Sequence, residues 1–300
     1  MFRRSFALLV IVALLVGSDA ASRLTSAQDS KSIGEKSDTN KVLLRYRLRP
    51  GTQLFYEIEH TVRTKTRMND SEDTSEMKST SRRHWNIREA SEGNVTFENV
   101  LDAVSMIQTT GVSEITWSSD SGEEPPATFA GIREKIGKTI STVTVNEMGQ
   151  EVERLKDDGT KTDLGMGSLT VAFPKDPIAI GSSWSIPREI RARDEDGNPQ
   201  KIKISERYTL DHVKTGIATL AVQSQILTPI DSQAIKAQVV QQLSNGEIKF
   251  DVDNGYMIEK RLDWDENVIS FRGPNSAMEY RAQMIERLVP ADSVRQASKP

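Results

Sequence analysis

The sequence predicts a mainly β, internally duplicated fold: strongly curved antiparallel sheets, half-barrel-like in shape, with one short helix in each half. Three observations predict this class. Apolar and polar residues alternate along most of the chain, which is the period of strands with one buried face. The two halves repeat the same order of elements, and only two short segments have helical spacing. Long strands with polar outer faces favour antiparallel pairing over a buried parallel sheet.

The N-terminus has the pattern of a signal peptide. Arg3 and Arg4 make the first residues basic, and residues 6–16 are apolar and uncharged but too short to span a bilayer. Small residues at the −3 and −1 positions, Ser18 and Ala20, favour cleavage after Ala20. Cleavage after Ala27 and an uncleaved anchor are the alternatives. We therefore expect a signal peptide over residues 1–20 and a periplasmic or extracellular protein with no transmembrane span after cleavage.

Composition and charge bound the remainder of the chain. Cysteine is absent, so neither disulfides nor a lipid-carrying cysteine are available. The formal net charge of −4 argues against nucleic acid as a partner. Residues 21–40 and 290–300 are polar and are expected to form a disordered leader and tail. A first β-rich repeat over 41–160 and a second over 161–289 remain.

Alternating residues mark strands near both ends of the folded part, and two of these runs are separated by a Pro-Gly turn signal. In the alternating run from Tyr256 to Trp264, Met257 is expected to point outward. The residues predicted to face inward are apolar and regularly spaced: Leu44, Tyr46, Leu48, Leu54, Tyr56, Ile58, Val62, Tyr256, Ile258, Leu262, Trp264, Met278, Tyr280, Ala282 and Met284.

Two short helices are predicted between strands. Apolar residues at helical spacing over 129–136 lead to Gly137, which suits a left-handed cap. A second helix is capped near Ser232, buries one face over 235–243 and is expected to end at the Asn-Gly pair that includes Gly246.

The two halves read alike. Trp85 and the turn at Gly93 are matched by Tyr208 and the turn at Gly216, with the same displacement (208 − 85 = 216 − 93 = 123). Each half then continues with a helix and a hairpin, the first hairpin needing one extra residue at its turn. Duplication explains this order better than chance alternation, which is the alternative.

No motif predicts catalysis or metal binding. Five residues separate Gly131 from Gly137, where a phosphate-binding loop requires four, and that segment reads as a helix. The acidic runs that begin at Asp194 and Asp251 lack the ligand positions of calcium loops and fit hairpin turns better. Neither a zinc-hydrolase nor a serine-elbow motif is present. A pair of Asp or Glu residues suited to glycosidase catalysis stays an alternative, but we expect no enzyme, no cofactor and no metal.

The sequence offers three histidines as possible ligand contacts. His60 shares its predicted face with Ile58 and Val62, His212 shares the face of Leu210, and His84 falls on the outer face and is expected to be solvated. The tryptophans lie on predicted strands and are expected in the core, or less favourably on a sugar-stacking surface. The predicted ligand-contacting residues face inward: Tyr56, Ile58, His60, Tyr208, Leu210, Tyr280 and Met284.

Several segments together resemble a family of exported bacterial proteins of unknown function. They are RPG at 49–51, IGSSW at 180–184, YTLDHVKTGIATL at 208–220, TPIDSQAI at 228–235 and FDVDNGYMIEKRLD at 250–263. That family implies no catalytic residues. The order strand, helix, then a strand ending in Asp-x-x-x-Gly is also similar to the curved half-barrels of LolA/LolB-type lipoprotein carriers, which implies an acyl chain held on a concave sheet.

These expectations lead to one function and one alternative. A concave, partly apolar sheet favours non-catalytic binding of a lipid or another hydrophobic small molecule outside the cytoplasm. The alternative is an envelope module with a solid core that binds another envelope protein. An open apolar pocket would favour the first, and a packed interior the second.

Overall fold

The computed structural model describes residues 41–160 and 168–291. The predicted signal peptide over 1–20, the predicted leader over 21–40 and the tail from residue 292 onward lie outside the described residues.

Short strands, long hairpin strands and two short helices make up the described residues. The N-terminal half contains β1 (Lys41–Val42), β2 (Gln53–Met68), β3 (Ser71–Ser91), β4 (Asn94–Thr110), β5 (Ser113–Ser118), a 3-10 turn (Ser119–Ser121), α1 (Ala130–Arg133), β6 (Lys138–Asn146) and β7 (Glu151–Lys156). The C-terminal half contains β8 (Ile178–Ala179), β9 (Ser183–Arg193), β10 (Pro199–Lys214), β11 (Ile217–Ile226), α2 (Gln233–Val239), a 3-10 turn (Val240–Gln242), β12 (Asn245–Asp251), β13 (Tyr256–Ile269) and β14 (Ser276–Val289).

One antiparallel sheet joins the two halves. Its strand order is β7-β6-β4-β3-β2-β14-β13-β12-β11-β10-β9, with β5 paired to β4, while β1 and β8 form a separate pair. The halves meet where β2 pairs with β14. Helix α2 contacts both β9 and β13, four places apart in the sheet, so the sheet curves around it. The predicted class is confirmed: mainly β, antiparallel and curved, with one short helix per half.

The hairpin turns of the two halves correspond. Glu92 and Gly93 have φ values of 52° and 77°, and Thr215 and Gly216 have 48° and 77°, as a two-residue hairpin of the primed type requires. The later hairpins differ in length, in the opposite sense to the sequence prediction. The N–H of Gly149 donates to the carbonyl three residues earlier, whereas that of Gly255 donates to a carbonyl four residues earlier. The extra residue therefore lies in the second hairpin.

The segment containing Leu44, Tyr46 and Leu48 is not a strand of the sheet, contrary to the prediction from its alternation. Its three apolar side chains are buried against the inner face of the sheet. The backbone N–H groups of Tyr46 and Arg47 donate to Glu147 and Gly255 at 2.8 and 2.9 Å. Alternation here reflects burial between two hairpin tips, which satisfies the backbone without a neighbouring strand.

The main core is shared by both halves. The inner-face residues of β2, β3 and β4 pack with those of β10, β11 and β12 beneath the extended segments that precede β2 and β9. Tyr46 is central, because its ring stacks on Phe173 at 5.5 Å and meets Phe250 edge-on at 5.2 Å. We call this region the closed end of the inner face.

The outer face of the sheet is charged. Ion pairs join neighbouring strands across it, including Arg63 with Glu76 at 3.2 Å and Lys65 with Glu72 at 3.0 Å. Such exposed pairs contribute little stability. They do identify the solvated side of the sheet, so burial concentrates on the other side.

Both predicted helices are present, with shifted ends. The first is shorter than predicted and is followed by turns up to Gly137, which has a φ of 72°. The hydroxyl of Ser232 caps the second by accepting from the N–H of Ile235 at 3.0 Å. Gly246 does not end this helix, because it lies in β12 opposite Val222 and Leu262.

Two β-bulges change which side chains point inward. Ile258 has no partner in the β12–β13 ladder, so Met257, predicted on the outer face, is fully buried in the core. Asp211 is likewise skipped between β10 and β11, so His212 is exposed and Val213 packs against the core. A bulge shifts the alternation by one residue, which the sequence pattern did not reveal.

Candidate ligand-binding site

Three of the predicted ligand-contacting residues lie in the packed closed end. Tyr56 and Leu210 have no exposed surface, and Tyr208 is 6% exposed. The hydroxyl of Tyr56 donates to the carbonyl of Met257 at 3.0 Å, and Tyr208 stacks on Trp184 at 5.6 Å. These side chains are already surrounded by protein, so they support the sheet at this end.

Tyr280 lies in a second cluster at the other end of the inner face. It packs with Val62, Val268 and Met278 beneath Val240 of the 3-10 turn that follows α2. Burial raises the pKa of Tyr280 to about 12. The helix and its 3-10 turn therefore cover this end of the sheet.

The other three predicted residues are brought together between these two clusters. His60 on β2 lies opposite Met284 on β14, and Ile58 is the next inner-face residue along β2. All three are partly exposed. Burial lowers the pKa of His60, so its ring is neutral near pH 7.

Two neighbouring residues on β13 complete this group, although the sequence analysis assigned them no ligand contact. Leu262 lies opposite Met284, and the ring of Trp264 meets that of His60 edge-on with centroids 6.3 Å apart. The Nε1 atom of Trp264 is buried and has no hydrogen-bond partner within the described ranges. We call Ile58, His60, Leu262, Trp264 and Met284 the open patch. The alternation along β13 had already placed Leu262 and Trp264 on the inner face.

Charged side chains border the open patch on the side of the closed end. Glu286 on β14 lies opposite both Ile58 and Lys260, and Arg83 on β3 lies opposite Tyr56. Burial raises the pKa of Glu286, and the positive charges of Lys260 and Arg83 oppose that rise. Burial lowers the pKa of Arg83, but a guanidinium stays charged. The inner face therefore changes from apolar to cationic along its length.

The other two histidines lie away from this patch. His84 is on the outer face, as predicted, but it is not simply solvated. Its Nδ1 atom is 2.8 and 2.9 Å from the carboxylate oxygens of Asp102, and its ring is 5.3 Å from that of Phe55. His212 is exposed on the outer side of its bulge.

The acidic runs are hairpin turns, as interpreted from the sequence. The carboxylate of Asp251 accepts from the N–H groups of Asp253 and Asn254, and that of Asp194 accepts from those of Asp196 and Asn198. Across residues 41–160 and 168–291, no group of His, Asp or Glu side chains has the arrangement of a metal site.

A shallow depression of about 300 Å³ lies at the hairpin tips, lined among others by Leu48, Gly93 and Val145. None of the predicted ligand-contacting residues lines it. In the described part of the chain, no helix combines the length and the apolar character needed to cross a membrane.

The geometry thus defines a class of protein: a single curved antiparallel sheet whose inner face is packed at both ends and keeps an amphipathic patch between them. A model described as a family of unknown function, DUF6263, matches residues 161–257, which is less than half of the chain. The match agrees with the predicted resemblance only in that the family has no known function. No curated protein matches the chain.

Solved structures resemble the chain only distantly. A structure described as lipid–protein interactions in lipovitellin has a TM-score of 0.45 and 10% identity, covering 82% of this chain and 26% of that one. The beta domain of the Bordetella autotransporter BrkA has a TM-score of 0.34 and 8% identity, covering 79% and 98%. DynF from Micromonospora chersina has a TM-score of 0.22 and 7% identity, covering 87% and 95%. The chain spans about a quarter of the lipovitellin chain, and nothing about function follows from scores this low. The likeness to LolA/LolB-type carriers stays a prediction.

Proposed function

We propose that this is an exported, non-catalytic protein that binds an amphiphilic molecule on the open patch. One observation carries the proposal: the mainly apolar side chains of the open patch, Ile58, Leu262, Trp264 and Met284 with His60, are contiguous and partly exposed between two packed clusters. Covering such apolar surface stabilises a complex by about 25 cal/mol for each Å² removed from water.

The chemistry of the patch favours an amphiphile over a purely apolar ligand. Neutral His60 and the edge of Trp264 suit an apolar chain or ring. Lys260, Arg83 and Glu286 lie one or two inner-face positions further along their strands. From Ser79, opposite His60, to Arg83 is four residues of strand, or roughly 13 Å. A ligand lying along the strands therefore meets an apolar and a charged surface in turn.

A titration with the neutral, environment-sensitive probe N-phenyl-naphthylamine tests the proposal. We expect saturable binding by the wild type and about tenfold weaker binding by Met284→Ala, since about 1.4 kcal/mol of apolar contact is lost. His60→Phe, which adds apolar area, is expected to bind the probe more tightly. Leu227→Ala is the matched control, because Leu227 is 52% exposed and outside the patch.

A second candidate function is an envelope interaction module with a solid core. The packing of Tyr56, Tyr208 and Leu210 favours it, because these predicted ligand contacts are buried among other core side chains. The same titration separates the two. A folded wild type that shows no saturable probe binding would favour the module, whose partner is then another protein of the envelope.

Export is part of the proposal and has its own test. The basic and apolar N-terminal residues support a cleaved signal peptide. N-terminal sequencing of the protein recovered from its native cells is expected to begin at Ala21. An intact Met1 would contradict export by this route.

A further inference from the structure

The N-terminal half of the inner face buries polar atoms that have no partner. Asn99 has no exposed surface, and Ser141, directly opposite it, is 4% exposed. Neither the amide nitrogen and oxygen of Asn99, nor the hydroxyl of Ser141, nor Nε of Arg83 has a hydrogen-bond partner among the described residues. Buried polar atoms are nearly always hydrogen-bonded, so a concentration of exceptions on three neighbouring strands requires an explanation.

The energetic cost of such atoms is large. Leaving a buried donor or acceptor unpaired costs about 1–3 kcal/mol, while an apolar residue of the same shape avoids that cost. Asn99 and Ser141 are each flanked on their own strands by apolar inner-face residues, such as Phe97 and Val143. Apolar side chains at these positions would pack with them.

The C-terminal half provides an internal comparison. Trp85 pairs with Asn99 in the same register as Tyr208 pairs with Val222, and Asn99 faces Ser141 as Val222 faces Gly246. The duplicated positions thus hold one apolar residue and one glycine instead of two polar side chains.

The charged residue of the N-terminal half, Arg83, also differs from its C-terminal counterpart in its contacts. Arg83 corresponds to Glu206, two residues before the matched aromatic ring in each case. Glu206 accepts from the hydroxyl of Tyr208 at 2.8 Å and pairs with Arg188 at 3.3 Å. In the described ranges no side-chain hydrogen bond joins Arg83 to another residue, although the nearby Glu286 interacts with its charge. The Nε atom of Arg188 is buried without a partner as well, but the residues that correspond to Arg83, Asn99 and Ser141 leave no side-chain atom unpaired.

Of the three residues with unpaired atoms, Arg83 lies nearest the open patch, because it is opposite Tyr56, one inner-face position from Ile58. Arg83 keeps part of its surface exposed although its Nε atom is buried, and it lies between Asn99 and the row of Ile58, Ser81 and Glu286. Arg83 and Lys260 supply positive charge here, and burial favours the neutral form of Glu286. An anion suits this charge balance better than a cation.

We propose that Arg83, Asn99 and Ser141 bind the anionic head group, a carboxylate or a phosphate, of the amphiphile whose apolar part covers the open patch. This assignment rests on the proposed function and adds the class of ligand. The guanidinium of Arg83 donates to the anion, and the amide of Asn99 and the hydroxyl of Ser141 supply two further donors. Each of the three residues then gains a hydrogen-bond partner that the described residues do not provide.

Displacement of the bound neutral probe tests the head group. Laurate, lauryl phosphate and dodecanol share one alkyl chain and differ in the head. We expect the wild type to bind both anionic amphiphiles at least about tenfold more tightly than dodecanol. Acetate and inorganic phosphate are expected not to displace the probe. Displacement by either free anion would overturn the assignment to a lipid-like head group.

Three variants and a matched control test the residues. Arg83→Gln, Asn99→Leu and Ser141→Ala are expected to reduce the preference for laurate over dodecanol by about tenfold or more for Arg83 and about threefold for the others, with dodecanol affinity unchanged. Ser224→Ala, on the inner face of the C-terminal half, is expected to keep the full preference. Thermal unfolding followed by circular dichroism verifies that each variant is folded.

The outcomes separate this assignment from the proposed function. If the wild type binds dodecanol and laurate equally, or if folded Asn99→Leu and Arg83→Gln keep the preference for laurate, the head-group site is wrong while amphiphile binding stands. If no amphiphile binds to the folded wild type, the proposed function itself fails.

Discussion

In the C-terminal half of the sheet, Glu206 is held by the hydroxyl of Tyr208 and by Arg188, and Val222 faces Gly246. At the corresponding N-terminal positions, Arg83 and Asn99 have buried atoms without partners in the described part of the chain. The two halves share their turns and strand register, so the difference lies in a few side chains. Since the same positions of the C-terminal half hold a paired glutamate and a valine, the unpaired groups of Arg83 and Asn99 indicate a demand other than stability.

The same contrast occurs along single strands. On β2, Tyr56 is fully buried in the closed end, while the next inner-face residues, Ile58 and His60, are partly exposed. Along this strand, a fully buried side chain is thus followed within a few residues by partly exposed ones. Mutations at the two kinds of position are expected to act on different properties.

The largest expected effect separates the closed end from the open patch. Leu210→Ala removes a side chain with no exposed surface and is expected to lower the free energy of unfolding by about 3 kcal/mol through cavity formation. Met284→Ala is expected to cost less than half as much but to weaken probe binding more. Urea denaturation and probe titration on both variants measure this. Equal losses of stability would remove the distinction between the two regions.

The hairpin tips of the two halves are expected to be equally intolerant of a side chain. A Cβ at Gly149 would collide with the ring of Tyr46, and one at Gly255 would lie 2.6 Å from the backbone nitrogen of Arg47. Alanine at either is expected to cost about 2 kcal/mol or more. Gly93 is the control, since its φ of 77° is similar but no atom lies within 4 Å, and alanine there is expected to cost about 1 kcal/mol. Equal midpoints of chemical denaturation for all three would show that the close contacts of the two hairpin tips with Tyr46 and Arg47 contribute little to stability.

Exchanging the inner-face residues of the two halves is expected to have opposite effects on stability. Asn99→Leu removes two unpaired polar groups and is expected to raise the free energy of unfolding by about 1 kcal/mol. Val222→Asn buries a new amide in the paired half and is expected to lower it by about 1–3 kcal/mol. Chemical denaturation decides. A loss of stability in Asn99→Leu would mean that Asn99 is satisfied within the folded protein.

The smallest effect concerns pH. Burial raises the pKa of Glu286 above its ordinary value of 4.5, so the folded state binds this proton more tightly than the unfolded state. Wild-type stability should therefore fall as pH rises from about 4.5 through the raised pKa. Glu286→Gln lacks this penalty and should gain stability relative to the wild type over that range.

A control of opposite sign lies on the outer face. The hydrogen bond from Lys249 lowers the pKa of Glu259, so this group stabilises the wild type at neutral pH and loses that contribution as pH falls below about 4.5 through the lowered pKa. Glu259→Gln should therefore lose stability relative to the wild type as pH rises. Thermal melts of both variants and the wild type from pH 3 to 8 measure the two trends, and trends of the same sign would contradict the account.

The class of fold was predictable from alternation and turn residues, because both are local properties. Alternation also placed Ile58, His60 and Met284 on the inner face. It did not show that the segments around Tyr46 and Phe173 cover Tyr56 and Leu210, because the sequence does not say which distant segment lies on which part of a face. The bulges at Asp211 and Ile258 were likewise invisible to a fixed period.

The sequence does carry a signal for the polar inner-face residues of the N-terminal half. Arg83 has the same parity along β3 as the buried Trp85 and Ile87, and Asn99 has the same parity along β4 as Phe97. Polar residues on a predicted inner face are unusual and identify a place to look for function. Their lack of partners, in contrast, emerges only from the arrangement of several strands.

Mass spectrometry of a solvent extract tests directly whether the protein binds an anionic amphiphile. The full-length wild type and Arg83→Gln would be expressed with the native signal peptide, purified without detergent and extracted in parallel. We expect that an amphiphile with a carboxylate or phosphate head is recovered from the wild type in a near-stoichiometric amount and is depleted in the variant. An extract of the folded wild type without any amphiphile, or equal recovery of it from both proteins, would contradict the account.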